Sequence, residues 1–268
     1  MHPVERLRYV MREDYLPANL IVEEVADAFA SMSHDPAAGL TTLRRVVHRQ
    51  AGCGPLWWLG ARALTATDVR TECRSVVDDI YTDSTVEELE RSLPEGARVF
   101  VGGSPEQSAL AFVNRPDVEV SVVDLESEGD ITARQLAAHG ASVVEVVAVH
   151  QLDRALQDAD VVVVESALAG SRSFVAVNGS SELCATAQRR DVAPWLVAGR
   201  GRRVPAWLFD PAADMVTGTM GGRTFERVAA DHVAKLVCET GVFRCPPILG
   251  TPGFPRTPEL LVDPDRPS

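Results

Sequence analysis

The chemistry open to this chain lies in short loops that follow valine-rich runs. The first loop reads Gly102-Gly103-Ser104-Pro105. Its two glycines admit a ligand close to the backbone, and Ser104 with Pro105 opens a helix whose unpaired N–H groups attract an anion. The same residues also make a plain strand-to-helix turn. They match neither GxGxxG nor a Walker loop, so no nucleotide is specified. The second loop holds Asp124, Glu126, Glu128 and Asp130, four acids in seven residues. Such a group suits ribose hydroxyls or a metal, or else a solvated loop in which Asp130 caps the next helix. Glu165 follows the run Val161–Val164 and opens the fourth loop. Arg172, the one base in the loop beyond it, can meet a phosphate or face solvent. Asn178-Gly179-Ser180-Ser181 offers amide, hydroxyl and backbone donors to a phosphate or sugar, or simply caps the helix that follows.

Other chemistries have weaker support. There is no GxSxG elbow, and none of the six histidines (His2, His34, His48, His139, His150, His232) is set against an evident serine or cysteine nucleophile. The five cysteines are odd in number, irregularly spaced and without a CxxC, which argues against a zinc site or a disulfide framework. Cys184, between Leu183 and Ala185, reads as a core thiol. We expect no metal and no cofactor.

Two kinds of element must position these loops. Up to about residue 94 the apolar residues recur at helical spacing. Ile21, Val22, Val25, Phe29 and Met32 share one face opposite Glu23, Glu24 and Asp27. Asp35-Pro36 supplies a cap and a first-turn proline for the next helix, which Gly52, Gly54 and Pro55 should end. Further helices are predicted over 67–81 and 84–93, the last with Ser84 and Glu87 at capping-box spacing. Trp57 and Trp58 then fall between helices, as a packing plug or a subunit contact. From Ala97 the runs 98–101, 118–123, 143–149 and 161–164 lack apolar–polar alternation, as strands covered on both faces do. Helices are expected after each, over 105–113, 132–139, 152–157 and 181–190. Further strands are expected at 195–198 and 215–218, and a last helix at 223–239. The fold class is therefore α/β: a helical domain over 1–94 and a Rossmann-like, mainly parallel sheet domain over 95–268.

Composition narrows the partners. A formal charge of −12 argues against nucleic acid, which needs a basic face. No apolar run approaches the roughly 20 residues of a membrane span, and the first residues carry no signal-peptide pattern. The expected setting is cytoplasmic.

The order of these pieces resembles the family of the α, β and δ subunits of eukaryotic initiation factor 2B, with methylthioribose-1-phosphate and ribose-1,5-bisphosphate isomerases. Glu128-Gly129-Asp130-Ile131-Thr132-Ala133-Arg134-Gln135-Leu136, then His139-Gly140, looks like the family's EGxLTAxEL helix. Asp158 to Val164 resembles its DLVIVGAD strand, Val177-Asn178-Gly179-Ser180 falls where NKIGT would, and Thr257-Pro258-Glu259-Leu260-Leu261 resembles TPPELI. The resemblance implies a helical N-terminal domain and a homodimer built through the α/β domain. Val242, Phe243, Ile248, Leu249 and Phe254 are apolar residues near the end that need cover.

The departures bear on activity. Where the isomerases carry a cysteine in a THCN loop, this chain has Val101-Gly102-Gly103-Ser104. The aspartate of VGAD falls on Ala167, with Glu165 the nearest carboxylate. The ETRP arginine is deleted, the chain running from Glu126 to Ser127-Glu128-Gly129. The expected function is binding of a phosphorylated sugar or nucleotide without isomerase chemistry. The alternatives are an enzyme that has rebuilt its site for such a substrate, and a pure interaction subunit. The expected site is Glu165 as the acid, with Gly102, Gly103, Ser104, Asp124, Arg172, Asn178, Gly179, Ser180 and Ser181 holding the ligand.

Overall fold

The structure is a computed structural model that describes residues 3–12, 16–32, 34–103, 105–220 and 223–264. It opens with helices α1 (Pro3–Arg12), α2 (Ala18–Ser31), α3 (Pro36–Arg49), α4 (Gly54–Thr65), α5 (Val69–Tyr81) and α6 (Thr85–Ser92). Asp35 caps α3 as its position suggests, accepting from Ala38 N at 3.1 Å. At α6 the cap is Asp83 rather than Ser84: Asp83 accepts from Thr85 N at 3.0 Å, while the Ser84 hydroxyl donates to Glu239 O at 2.9 Å. Trp57 and Trp58 sit inside α4, not between helices. Pro55 lies in the first turn of α4, where its missing N–H costs nothing, so it starts a helix rather than following one. Trp57 is wholly buried and its indole N–H donates to Ala51 O at 2.9 Å.

The α/β part begins with β1 (Arg98–Gly102), α7 (Gln107–Asn114), β2 (Glu119–Asp124), α8 (Gly129–Ala138) and β3 (Ser142–Ala148). It continues through α9 (Leu152–Ala155), β4 (Val161–Glu165), β5 (Leu168–Ala169), β6 (Ser173–Val177), α10 (Ser180–Arg189) and β7 (Ala193–Val197). Then follow α11 (Ala206–Val216), β8 (Gly218–Met220), β9 (Arg223–Ala229), β10 (Lys235–Cys238) and β11 (Gly241–Arg244). Seven strands form the main sheet in the order β11-β10-β7-β4-β1-β2-β3, all neighbours parallel except β10–β11. Val99, Val101, Val120, Val122, Val162 and Val163 are fully buried, because helices cover both faces.

A second sheet, antiparallel in the order β5-β6-β9-β8, departs from the sequence reading. Residues 223–239 form β9, a 3₁₀ turn and β10 instead of one helix. Phe225 and Val228 fit a helical spacing, yet Arg223–Ala229 zips onto β6, with Ser173 opposite Ala229 and Val177 opposite Phe225. The strand expected at 215–218 is the end of α11, with Gly218 (φ +104°) turning the chain into β8. Among the described residues no helix is long and apolar enough to cross a membrane.

One hydrophobic core joins the two parts. Val25, Leu43, Leu56, Trp57 and Val76 of the helices pack in one cluster with Leu168, Val175, Leu208, Phe209 and Leu260. Tail side chains expected to need a partner are largely covered within the chain. Ile248 is in a core, Phe243 and Val242 pack on core clusters, and Phe254 meets Trp207 edge-on; Leu249 stays exposed.

All five cysteines are buried and free. Burial pushes the thiols of Cys53, Cys73 and Cys184 up to about 12 and that of Cys245 to about 11. A thiol that titrates near 9 when unfolded and near 12 when folded contributes stability that is complete below pH 9 and lost toward pH 12. Ellman's reagent at pH 8 should therefore label no thiol of the native chain and all five after denaturation. Rapid labelling of the folded chain would contradict this.

Candidate functional site

Strand order reverses between β1 and β4: β2 and β3 continue on one side, β7 and β10 on the other. In a sheet of this kind the crevice for a ligand opens at the carboxyl ends of those two strands. A cavity of about 550 Å³ lies there. Its walls come from the start of α2 (Leu16 to Ile21), the α3–α4 connection (Gly52, Cys53), α8 (Ile131, Thr132) and the end of β4. The charged walls are Glu106, Glu128 and Glu165 against Arg202 and Arg223.

Glu165, the last residue of β4, lies against the start of α7. Its carboxylate accepts from the backbone N–H groups of Glu106 (3.1 Å), Gln107 (3.1 Å) and Ser108 (3.2 Å), and from the Ser108 hydroxyl (3.1 Å). Arg202 Nη2 is 3.4 Å from its other oxygen. Burial pushes the Glu165 carboxyl above the ordinary range and Glu106 adds to this, while Arg202 and the N–H groups of Ser108 and Gln107 pull the other way. Backbone N–H groups and a guanidinium can only donate, so the ionised carboxylate is the form that satisfies them. The anion cradle read into the start of α7 is thus filled by the chain's own carboxylate.

The same holds at two more helix starts. Asp124 accepts from Gly129 N at 2.8 Å and so caps α8, the part assigned above to Asp130, which lies within that helix. Glu226 accepts from Ser181 N at 2.8 Å at the start of α10. Glu126 and Glu128 are engaged as well, with Thr224 N at 2.6 Å and Arg223 at 3.1 Å. Among the described residues no group of three or more His, Cys, Asp or Glu is arranged to hold a metal.

Of the residues expected to form the site, Glu165 lines the cavity and the other described ones do not. Gly102 packs so closely that a Cβ would meet Leu183 at 2.8 Å, and Gly103 (φ +77°) lies against Val177. Gly179 (φ +94°) turns the chain into α10, Ser180 donates to Val177 O at 2.6 Å, and Asn178 is exposed. Arg172 is exposed on the β5–β6 hairpin. Ser104 lies outside the described residues.

The guanidiniums at the cavity are instead Arg223 and Arg202. Arg202 donates to Ser166 O at 2.8 Å and to Glu106 at 2.6 Å. It belongs to the loop Gly199-Arg200-Gly201-Arg202-Arg203 after β7, which the sequence reading passed over. Three arginines and two glycines within five residues directly after a buried strand were the available signal. Three of the loop's backbone N–H groups are held by side chains. Gly199 N donates to Gln107 Oε1 (3.1 Å), Arg200 N to Asp83 (2.8 Å) and Gly201 N to Thr251 Oγ1 (3.1 Å).

No family profile and no curated protein sequence matches this chain. Solved structures do match it. A Pyrococcus horikoshii translation initiation factor 2B protein aligns over 91% of this chain and 97% of its own, with a TM-score of 0.78 at 15% identity. The β subunit of initiation factor 2B from Chaetomium thermophilum gives 0.67 at 12% identity, over 90% of this chain and 88% of its own. The 5-methylthioribose 1-phosphate isomerase of P. horikoshii gives 0.65 at 12%, over 90% and 83%. The chain has the initiation factor 2B fold. Within that fold the motif-like stretches take definite places. Glu128 to Leu136 opens α8, Asp158 to Val164 runs into β4, and Val177 to Ser180 links β6 to α10. Thr257 precedes the closing 3₁₀ turn, Pro258–Leu261, whose Leu260 is buried in the helical core.

Proposed function

We propose that this member of the initiation factor 2B fold binds a phosphorylated sugar or nucleotide in the cavity and does not isomerise it. The observation that carries the reading is the cavity itself, about 550 Å³ at the strand-order reversal, walled by two arginines. That volume suits a small metabolite, and a chain serving only as an interaction surface has no use for it. Isomerising a sugar phosphate means moving a proton between adjacent carbons, which needs an acid/base group free to face the substrate. Both oxygens of Glu165 are committed to α7 and Arg202. Ala167 stands where the isomerases' aspartate falls. The cavity's thiol, Cys53, is pushed up to about 12 by burial. The other two acids of the wall are paired, Glu106 with Arg202 and Glu128 with Arg223, so what it offers a ligand is charge and shape.

The test is calorimetric titration of ribose 5-phosphate, ribose 1-phosphate and adenosine monophosphate, with a turnover assay on 5-methylthioribose 1-phosphate. At least one ester should bind. Arg223→Ala should weaken it about ten- to a hundredfold, the effect of losing one charge-assisted contact. Arg172→Ala should leave it unchanged, because Arg172 is exposed away from the cavity. No binding by any ester would favour the interaction-subunit reading, and turnover would favour a rebuilt enzyme.

A further inference from the structure

The cavity contains an internal anion at a place where a ligand's phosphate would fit. Glu106 stands just before α7, and its side chain is 41% exposed. One of its carboxylate oxygens lies 2.6 Å from Arg202 Nη2 and 3.4 Å from the backbone N of Ala18, the first residue of α2. Helix α2 runs for 14 residues, its first turn carries no acid and Pro17 before it provides no side-chain cap, so Glu106 brings negative charge to that helix start. Arg202 is nine-tenths buried. A guanidinium held that far from water must keep an anionic partner.

Two features separate Glu106 from the other carboxylates that fill helix starts here. Glu165 is sealed, its side chain 9% exposed, whereas Glu106 is the half-open one of the two acids on Arg202. Glu106 can leave without unpairing the arginine, because the sealed Glu165 stays behind at 3.4 Å. Next to this pair is an unused donor. Ser166 lines the cavity and holds Arg202 through its carbonyl, yet its own buried hydroxyl has no hydrogen-bond partner. A buried hydroxyl without a partner is costly, and an oxyanion held beside it would relieve that cost.

We propose that the phosphate of the ligand binds on Arg202 and the Ala18 N–H by displacing the Glu106 carboxylate, which makes Glu106 a built-in competitor that sets the affinity of the site. This inference rests on the binding reading above and adds to it the subsite and the group that must move. A phosphomonoester carries more charge and more acceptor oxygens than a carboxylate, so it can take over both Arg202 and the α2 start, which a single Glu106 oxygen now serves. A neutral sugar has nothing to exchange for Glu106. The site therefore selects for the phosphate rather than for the sugar.

The experiment titrates ribose 5-phosphate, inorganic phosphate and ribose into the wild-type chain, Glu106→Gln and Arg202→Gln, with thermal melting of each. Glu106→Gln keeps the side chain's size and removes its charge. It should bind ribose 5-phosphate and inorganic phosphate about tenfold or more tighter than wild type, with ribose unaffected and the fold intact. Arg202→Gln should abolish phosphate binding. Should Arg202→Gln fail to fold, Glu106→Gln alone decides. Equal or weaker phosphate affinity in Glu106→Gln, with wild type still binding, would overturn this inference and leave the binding reading standing. No binding by either chain would overturn both.

Discussion

Replacing Glu239 by alanine should destabilise the chain by about 3–5 kcal/mol, the range for breaking a buried ion pair from one side. Glu239 and Arg203 are 2% and 1% exposed, and one guanidinium nitrogen meets both carboxylate oxygens. A second nitrogen donates to Leu249 O at 3.0 Å, and Nε has no partner. Without Glu239 a full positive charge would be left with a single carbonyl. The double variant Arg203→Met/Glu239→Leu should recover most of the loss, because removing both charges also removes both desolvation costs. Urea unfolding midpoints of the three chains decide the point. A loss below about 1 kcal/mol in Glu239→Ala would show that water reaches the pair.

Gly201→Ala should cost about 2–5 kcal/mol, from two sources of similar size. Gly201 has φ +78°, where a side chain strains the backbone by about 1–2 kcal/mol. Its Cβ would also lie 2.7 Å from Pro55 Cα, a backbone atom at the start of α4 that cannot turn aside. Overpacking of that kind adds about 1–3 kcal/mol. Gly253→Ala is the control: φ is +67°, with nothing within 4 Å of the added carbon, so only the strain should appear. Equal losses at the two glycines would mean that the α4 contact yields freely. From the other side, Gly54 lies so close to Arg202 Cα that a Cβ would sit 2.7 Å away. The same contact thus fixes the loop that carries the cavity's arginine.

Much of the main sheet is visible in the chain because valine runs covered on both faces leave a local signature, as at Val161–Val164. The second sheet is not, because β5 has two residues and β9 draws its identity from β6, some fifty positions earlier. Helix α11 hides behind Pro211 in its interior. At the site, the strand-end rule locates Glu165, and the order of weak motifs points to the fold. What the chain could not reveal is which group satisfies which. The carboxylates that fill α7 and α10 arrive from β4 and β9, and the loop that carries Arg202 is held through Gly201 N by Thr251 and through Gly199 N by Gln107, both far away in sequence. Local patterns carry no record of such pairings.

The shared core has a consequence for how this protein is made. Synthesis runs from the amino end, so α1 to α6 leave the ribosome long before Leu208, Phe209 and Leu260, which fill the same cluster as Trp57 and Val25. At about 5–20 residues per second the wait for Leu260 is roughly ten to thirty seconds. For that interval the helices cover one another, but the apolar surface that Leu208, Phe209 and Leu260 will meet stays open, so the nascent helical part is a natural client for holding chaperones.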